Sequence, residues 1–326
     1  MNLTDPRSWA AQVFFDPAHG RVIRNPPGSG AGYWAGAPGA YYDPEHNAFY
    51  LVYRLRRPRG VAPDRGAELR IARSVDGLIF DDVWSSTKEQ LNSPSIERCA
   101  LARGPTGRWL LYVSHIDPAD RRWRIDVVEA ARPDGFDLRR ARPALTAADA
   151  RTEGVKDPWN FRVAGLYHMI VSYAIGSAPA TPEQLHGTAD AYNTGLVRSA
   201  TGLATSDDGL YWQWEGPILT PREHGWDRYC SRISSLWYEP PVWLALYDGS
   251  ADVSENYEER CGLAYSFDLR HFHRATPVVP LLLSPHGQAA LRYVDVLVLH
   301  DVKLFYYEMA RPDGSHDLRA FRMARP

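Results

Sequence analysis

The 326-residue sequence predicts an all-β fold: a single five-bladed β-propeller whose four-stranded antiparallel blades surround a central funnel. Three observations predict it. One pattern of strands and turns recurs five times along the chain. The segments at the heart of each repeat, such as YLVY, WLLYV, VWLALY and LFYY, are apolar on both faces, as stacked blades require. No stretch sustains a 3.6-residue apolar period that would indicate long helices.

The elements follow in order. Residues 1–34, with PPGSG, read as an irregular lead-in, and 35–326 as one propeller domain. The first blade is GAYYDPEHNAFYLVYRLRR with AELRIARSVDGLIFDDVW, and the second SIERCALARGPTGRWLLYVSH with WRIDVVEAARPDGFDL. VKDPWNFRVAGLYHMIVSYAIG and TGLATSDDGLYWQWEG make the third, YCSRISSLWYEPPVWLALYDGS and RCGLAYSFDLRHFHRA the fourth, and RYVDVLVLHDVKLFYYEMA and HDLRAFRM the fifth. DPEHN, GPTG, VAG and EPP are turn formers between first and second strands. SVDG, SDDG and SFDL recur between third and fourth strands, where Asp-Gly suits a tight hairpin. A short helix is expected at Thr181–Leu185, with Thr as its cap. Residues 176–194 form a long loop over one face, and such loops are often functional.

Composition narrows the function. The net charge is −2 and the arginines are interspersed with acids, which argues against nucleic acid as a partner. No apolar run approaches the roughly 18 residues of a membrane helix. Cys99, Cys230 and Cys261 form neither a disulfide framework nor a zinc pattern. The N-terminus lacks a basic start followed by an apolar core, so a soluble, cytoplasmic protein is expected. A Gly-rich phosphate loop, a nucleophile elbow and HExxH are all absent from the sequence. No cofactor is expected, a structural or central metal ion aside. Oligomeric state is not encoded in any motif. The 11 Trp, 18 Tyr and 10 Phe exceed what a core needs and suit a small-molecule carbohydrate partner, whose flat sugar faces stack on rings.

Blade geometry names the residues that face the funnel. First strands start at the mouth and second strands return to it. First-strand starts give Glu97, Arg98, Asp157, Arg232 and Asp295; second-strand ends give Arg54, His115, Tyr173, Asp248 and Glu308. Charges beside such apolar strands are costly unless paired or functional. The arginines could fork onto an anion.

ATSDDGLYW and IARSVDGLIF resemble the A-x-S-x-D-G-x-x-W/F signature of five-bladed propeller glycosidases. VKDPWNFRVAGLYHMIVSY is similar to their D-P-x-x-F strand pair, and YDPEHNAFYLVYR to the intracellular mannoside phosphorylases. The resemblance spans residues 35–325 and is broadest to glycoside hydrolase families 43, 32 and 130. It implies carboxylates at the inner mouth, with Asp157 of KDP at an acidic position of these families and Glu97 of IERC near another. Two departures stand out: Ala37-Pro38 replaces an Asp-Pro in the first blade, and Arg228, Tyr229 and Cys230 stand where the fourth often carries a Glu.

Glycoside cleavage needs one carboxyl held protonated and one ionised, about 5–5.5 Å apart for retention and 6.5–9.5 Å for inversion. Asp157, Glu97 and Asp295 are therefore the catalytic candidates, with Arg54, Arg98, His115, Tyr173, Arg232, Asp248, Glu308 and Trp34 as substrate contacts. The expected activity is hydrolysis of a glycosidic bond in a small sugar or oligosaccharide. Phosphorolysis and a catalytically silent sugar- or protein-binding propeller are the alternatives. An open mouth with two carboxyls within about 10 Å favours an enzyme; a mouth plugged by Trp34 or the 176–194 loop favours the silent propeller.

Overall fold

The computed structural model describes residues 9–10, 12–176 and 179–325. Residues 1–8 and 11 of the expected lead-in, and 177–178 of the expected loop, lie outside them.

Among the described residues twenty strands form five antiparallel four-stranded units. Four units are consecutive meanders. The fifth is closed by the chain's beginning: β1 (Arg21–Arg24) pairs with β20 (His316–Ala324). Part of the stretch expected to be irregular thus supplies an outer strand and ties the two ends of the chain together. Arg24 secures it, donating to Tyr53, Asp82 and the Phe80 carbonyl of the first blade.

The first strands are β2 (Trp34–Asp43), β6 (Ile96–Arg103), β10 (Val155–Val163), β14 (Cys230–Glu239) and β18 (Leu291–Val298). They touch one another in cyclic order, β18 returning to β2, so the blades close around one axis. Arg98 staples this ring from the inside. It donates to the Pro38 carbonyl (2.7 Å), the Ser234 carbonyl (2.5 Å) and the Asp295 carboxylate (2.9 Å), reaching three other blades from the second. Apolar faces of adjacent blades fill the space between them, as with Tyr50, Val52 and Ile71 against Leu101, Trp109 and Leu111. Each such large side chain removed from water contributes about 1.5–3 kcal/mol.

The SVDG, SDDG and SFDL segments do not form tight hairpins. Each lies in a longer loop organised by side-chain acceptors: Asp76 Oδ1 takes the amides of Leu78 and Ile79, and Asp208 Oδ1 those of Leu210 and Tyr211. Gly77 (φ 74°) has no room for a Cβ, which would lie 2.6 Å from Leu304 Cδ1. Its carbonyl accepts the hydroxyl of Tyr306 from the fifth blade, and Gly209 accepts Tyr112 in the same way. The recurrent motif is thus an inter-blade lock. The short helix forms at Pro182–His186, with Thr181 capping it through a reciprocal bond to Gln184.

Candidate functional site

One irregularity recurs in every first strand. Each gains an extra residue relative to its second strand: between Gly36 and Gly39, Ile96 and Cys99, Lys156 and Trp159, Ile233 and Ser235, and Arg292 and Asp295. Such a bulge re-aims side chains and breaks the two-residue alternation. Ala37, Asp157 and Tyr293 consequently adopt left-handed backbone, at φ 52°, 59° and 54°. In the last pair before the bulge, Gly36, Lys156 and Arg292 face Arg54, Ser172 and Glu308, and one pair earlier in the fourth blade Arg232 faces Asp248.

These positions carry a chain of buried charges. Glu97 accepts from Arg54 Nε at 2.5 Å, and Arg54 reaches Glu308 at 3.5 Å. Arg292 joins Glu308 (2.8 Å) to Glu259 (2.9 Å), and Arg232 joins Glu259 (2.8 Å) to Asp248 (3.5 Å) and Asp157 (3.7 Å). Lys156 lies 3.5 Å from Asp157. Every member is at most 4% exposed. Gly36 makes room for the chain: a Cβ there would lie 2.0 Å from Glu308 Oε2.

The field of this chain separates its acids. Burial raises the Glu97 carboxyl, but Arg54, then Lys156 and Arg56, outweigh it and hold the group down at about 2. Glu308 is likewise held well below the ordinary range, Arg292 and Arg54 overcoming its burial. Asp248 goes the other way. Burial, which Arg232 only partly offsets, and the neighbouring Glu259 charge push it up to about 7. Its Oδ1 accepts the Tyr293 amide, leaving Oδ2 beside Arg232 to carry a proton. Asp157 accepts weakly from Ser172 Oγ (3.3 Å), and its Oδ1 has no partner. Because Asp157 and Asp248 both flank the guanidinium of Arg232, their carboxyls lie within roughly 10 Å of each other, the span over which paired carboxyls act on a glycosidic bond.

A cap covers the chain. Asp190, in the expected loop, accepts from Trp123 Nε1 (3.0 Å) and the Tyr257 hydroxyl (2.5 Å) and lies 3.6 and 3.8 Å from Arg59 and Arg65. Arg59 and Arg65 also donate to the carbonyls of Thr188 and Ala189. Beneath it the Lys156 ammonium sits 4.8 Å from the Tyr192 ring and 5.2 Å from the Trp123 ring. Trp34 stacks on His316 and carries Arg56 and Arg292 at 4.4 and 4.6 Å from its rings.

Glu97, Asp157, Arg54, Arg232, Asp248, Glu308 and Trp34 are therefore brought to one place. Four expected residues are not. Asp295 lies past the bulge, where its carboxylate accepts from Arg98, Trp159 Nε1 and the Ala40 amide and borders a second cavity of about 280 Å³ beside Trp159, Asn160 and Phe161. Arg98 is spent on the axial staple described above. His115 lies 3.0 Å from Asp126 within its own blade. Tyr173 is one residue beyond Ser172 and therefore points to the opposite face, against Trp214. Reasoning from the sequence missed Lys156, Glu259, Arg292, His316 and Arg56. Lys156 and Arg292 would follow from assuming a bulge in each first strand. Glu259 enters from the loop before a third strand, a position no periodicity marks. Among the described residues, the one cluster of acids and histidine spaced for a metal is Asp43, Glu45 and His46, away from the charge chain, and Asp43 there is already bound to Arg103. The axis itself is spanned by Arg98.

No family model matches the chain, and no curated protein matches it. Solved structures do. A glycosyl hydrolase from Bacteroides ovatus aligns over 96% of this chain and 95% of its own, at 16% identity and a TM-score of 0.63. A GH43_1 enzyme from Xanthomonas citri covers 99% and 94% at 14% identity, TM-score 0.62. A structure from the GH130 family of mannoside phosphorylases, described as containing hydrolases that target β-1,2 mannosidic linkages in Candida mannan, covers 97% and 99% at 16% identity, TM-score 0.62. At such identities the likeness establishes the fold. It is the fold anticipated from the repeat motifs, shared over essentially the whole length of each chain. Among the described residues no helix is long and apolar enough to cross a membrane.

Proposed function

We propose that the chain is a glycoside-cleaving enzyme whose centre is the Asp157–Asp248 pair. The observation that carries the reading is that both carboxyls flank Arg232 while burial lifts Asp248 to about 7, so that it holds a proton near neutrality. In this scheme Asp248 donates to the departing glycosidic oxygen, and Asp157, with one buried oxygen unpartnered, acts as base or nucleophile. Glu97 stays charged and holds Arg54 in place. Asp248, expected from the sequence as a substrate contact, takes the acid's role in place of the catalytic candidates Glu97 and Asp295. The incomplete acid set of the first and fourth blades is thereby answered from the second strand of the fourth.

A silent sugar-binding propeller is the second reading, and the capped mouth favours it: Trp34, Tyr192 and Asp190 are each under 5% exposed. On the enzyme reading the Asp190 contacts must open to admit substrate. A panel of aryl and alkyl glycosides, assayed with and without phosphate, separates hydrolysis, phosphorolysis and silence. Asp157→Asn is the decisive variant, because Asn tolerates the left-handed backbone at φ 59°. It should lower turnover by at least about a hundredfold with the fold intact. Full activity in that variant would refute the assignment.

A further inference from the structure

Most of the buried charges pair off. Glu97, Glu308, Glu259 and Asp157 face Arg54, Arg292, Arg232 and Lys156, and His316 lies between Glu308 and Glu258. Arg56 has no such partner. It is 6% exposed, forms no ion pair or side-chain hydrogen bond, and its buried Nε is unsatisfied. Its guanidinium packs instead against two neighbouring rings, Trp34 (4.4 Å) and Tyr257 (4.8 Å), which lie 5.6 Å from each other. Glu97 feels the Arg56 charge through space but makes no contact with it, and two cation–π contacts recover only part of the cost of burying the cation. Two neighbours share the condition. Trp34, directly opposite Arg56 in the strand pair, has a buried Nε1 without an acceptor, and both terminal nitrogens of Arg54 lack hydrogen bonds. Buried donors without acceptors thus gather at this spot.

The two rings approach the Arg56 guanidinium from adjoining directions, and its Nε edge carries no hydrogen bond, so that edge is where an acceptor would complete it. An edge-on guanidinium fork matches a planar carboxylate in two-point contact. Resting on the axial centre proposed above, we infer that Arg56, with Arg54 and Trp34, receives the carboxylate of an acidic sugar, so that the substrate class is glycosides of uronic-acid type.

Calorimetric titration of the full chain with methyl glucuronide, methyl galacturonide, their neutral methyl esters, the parent methyl glucoside and galactoside, and inorganic phosphate tests this. At least one uronide is expected to bind at least tenfold tighter than its ester and parent sugar. Arg56→Met, whose unbranched side chain still packs against the two rings, should weaken that uronide by about ten- to a hundredfold, the range of a charge-assisted hydrogen bond, and leave the neutral sugars unchanged. Equal binding of acid and ester, unchanged uronide affinity in Arg56→Met, binding of phosphate alone, or no uronide binding would each overturn the inference. The acid-versus-ester comparison in the unaltered protein stands even if the variant fails to fold. Turnover of neutral glycosides without uronide binding would sink this inference and leave the enzyme reading standing; uronide binding without turnover of any glycoside would do the reverse.

Discussion

Asp248→Asn tests the proton assignment most directly. Asn keeps the shape and can still accept the Tyr293 amide, but it cannot donate a proton. General acid catalysis contributes about 10²–10⁴ in rate, so kcat/KM on an alkyl glycoside should fall by that factor. On a nitrophenyl glycoside, whose leaving group needs little help, the fall should be much smaller. The parent activity should decline above about pH 7, where the Asp248 proton is lost, and that alkaline limb should vanish in the variant. Stability offers an independent reading. The carboxyl titrates near 7 when folded against an ordinary 3.8, so the unfolded chain gives up this proton first as pH rises. The group's contribution is therefore fully present below about pH 4 and is lost progressively up to about pH 7, by about 4 kcal/mol at 1.4 kcal/mol per unit. Asn carries no such loss. Urea melts at pH 4, 6 and 8 should show the variant gaining on the parent as pH rises. A stability difference that does not change with pH, together with an intact alkaline limb, would refute the idea that Asp248 holds the proton.

Two further outcomes follow from the charge chain. Gly36→Ala places a Cβ 2.0 Å from Glu308 Oε2, a carboxylate tied to Arg292 and His316 and unable to swing away; a loss of several kcal/mol is expected, read as a fall in Tm, and an unchanged Tm would mean that the chain is looser than its distances indicate. Glu97 is held at about 2 against an ordinary 4.5, so its contribution is present above about pH 4.5 and is lost as pH falls toward 2, by about 3 kcal/mol. Glu97→Gln should therefore be less stable at pH 7, where Arg54 loses its partner, and should depend less steeply on acid in urea melts between pH 5 and 2.

What the sequence made legible is what repeats. Alternating turn formers and doubly apolar strands occur once per blade, so five copies fix the architecture even where any one is weak. Glu97 and Asp157 were legible because each follows directly on the residue that opens its bulge. Asp295 was misplaced because a bulge adds a residue without leaving a mark in hydrophobic alternation. Counting from the fifth blade's apolar run skips Arg292, the residue before the bulge, and lands on the first residue after it. Tyr173 lies on a second strand without a bulge, where a one-residue error in placing the strand's end exchanges the two faces. The closing strand Arg21–Arg24 escaped because four residues, with Val22 and Ile23 side by side between two arginines, show no alternation to read.

The bulge also explains how such diverse residues can occupy one site. A left-handed residue early in a first strand aims its side chain differently from the flanking pleat, whatever that side chain is. In this chain the first bulge residue is Ala37, Glu97, Asp157, Ser234 or Tyr293, so two blades supply acids and three supply none. The fold needs only the kink, so the identity at that position is open to change. Beside Asp157 and Glu97, further charges come from the second strands, as Arg54, Asp248 and Glu308, and from a loop, as Glu259. An acid lost from a first strand, as at Ala37, is therefore no argument against catalysis, provided that another blade presents a protonated carboxyl within reach of the same guanidinium. Asp248 beside Arg232 meets that condition.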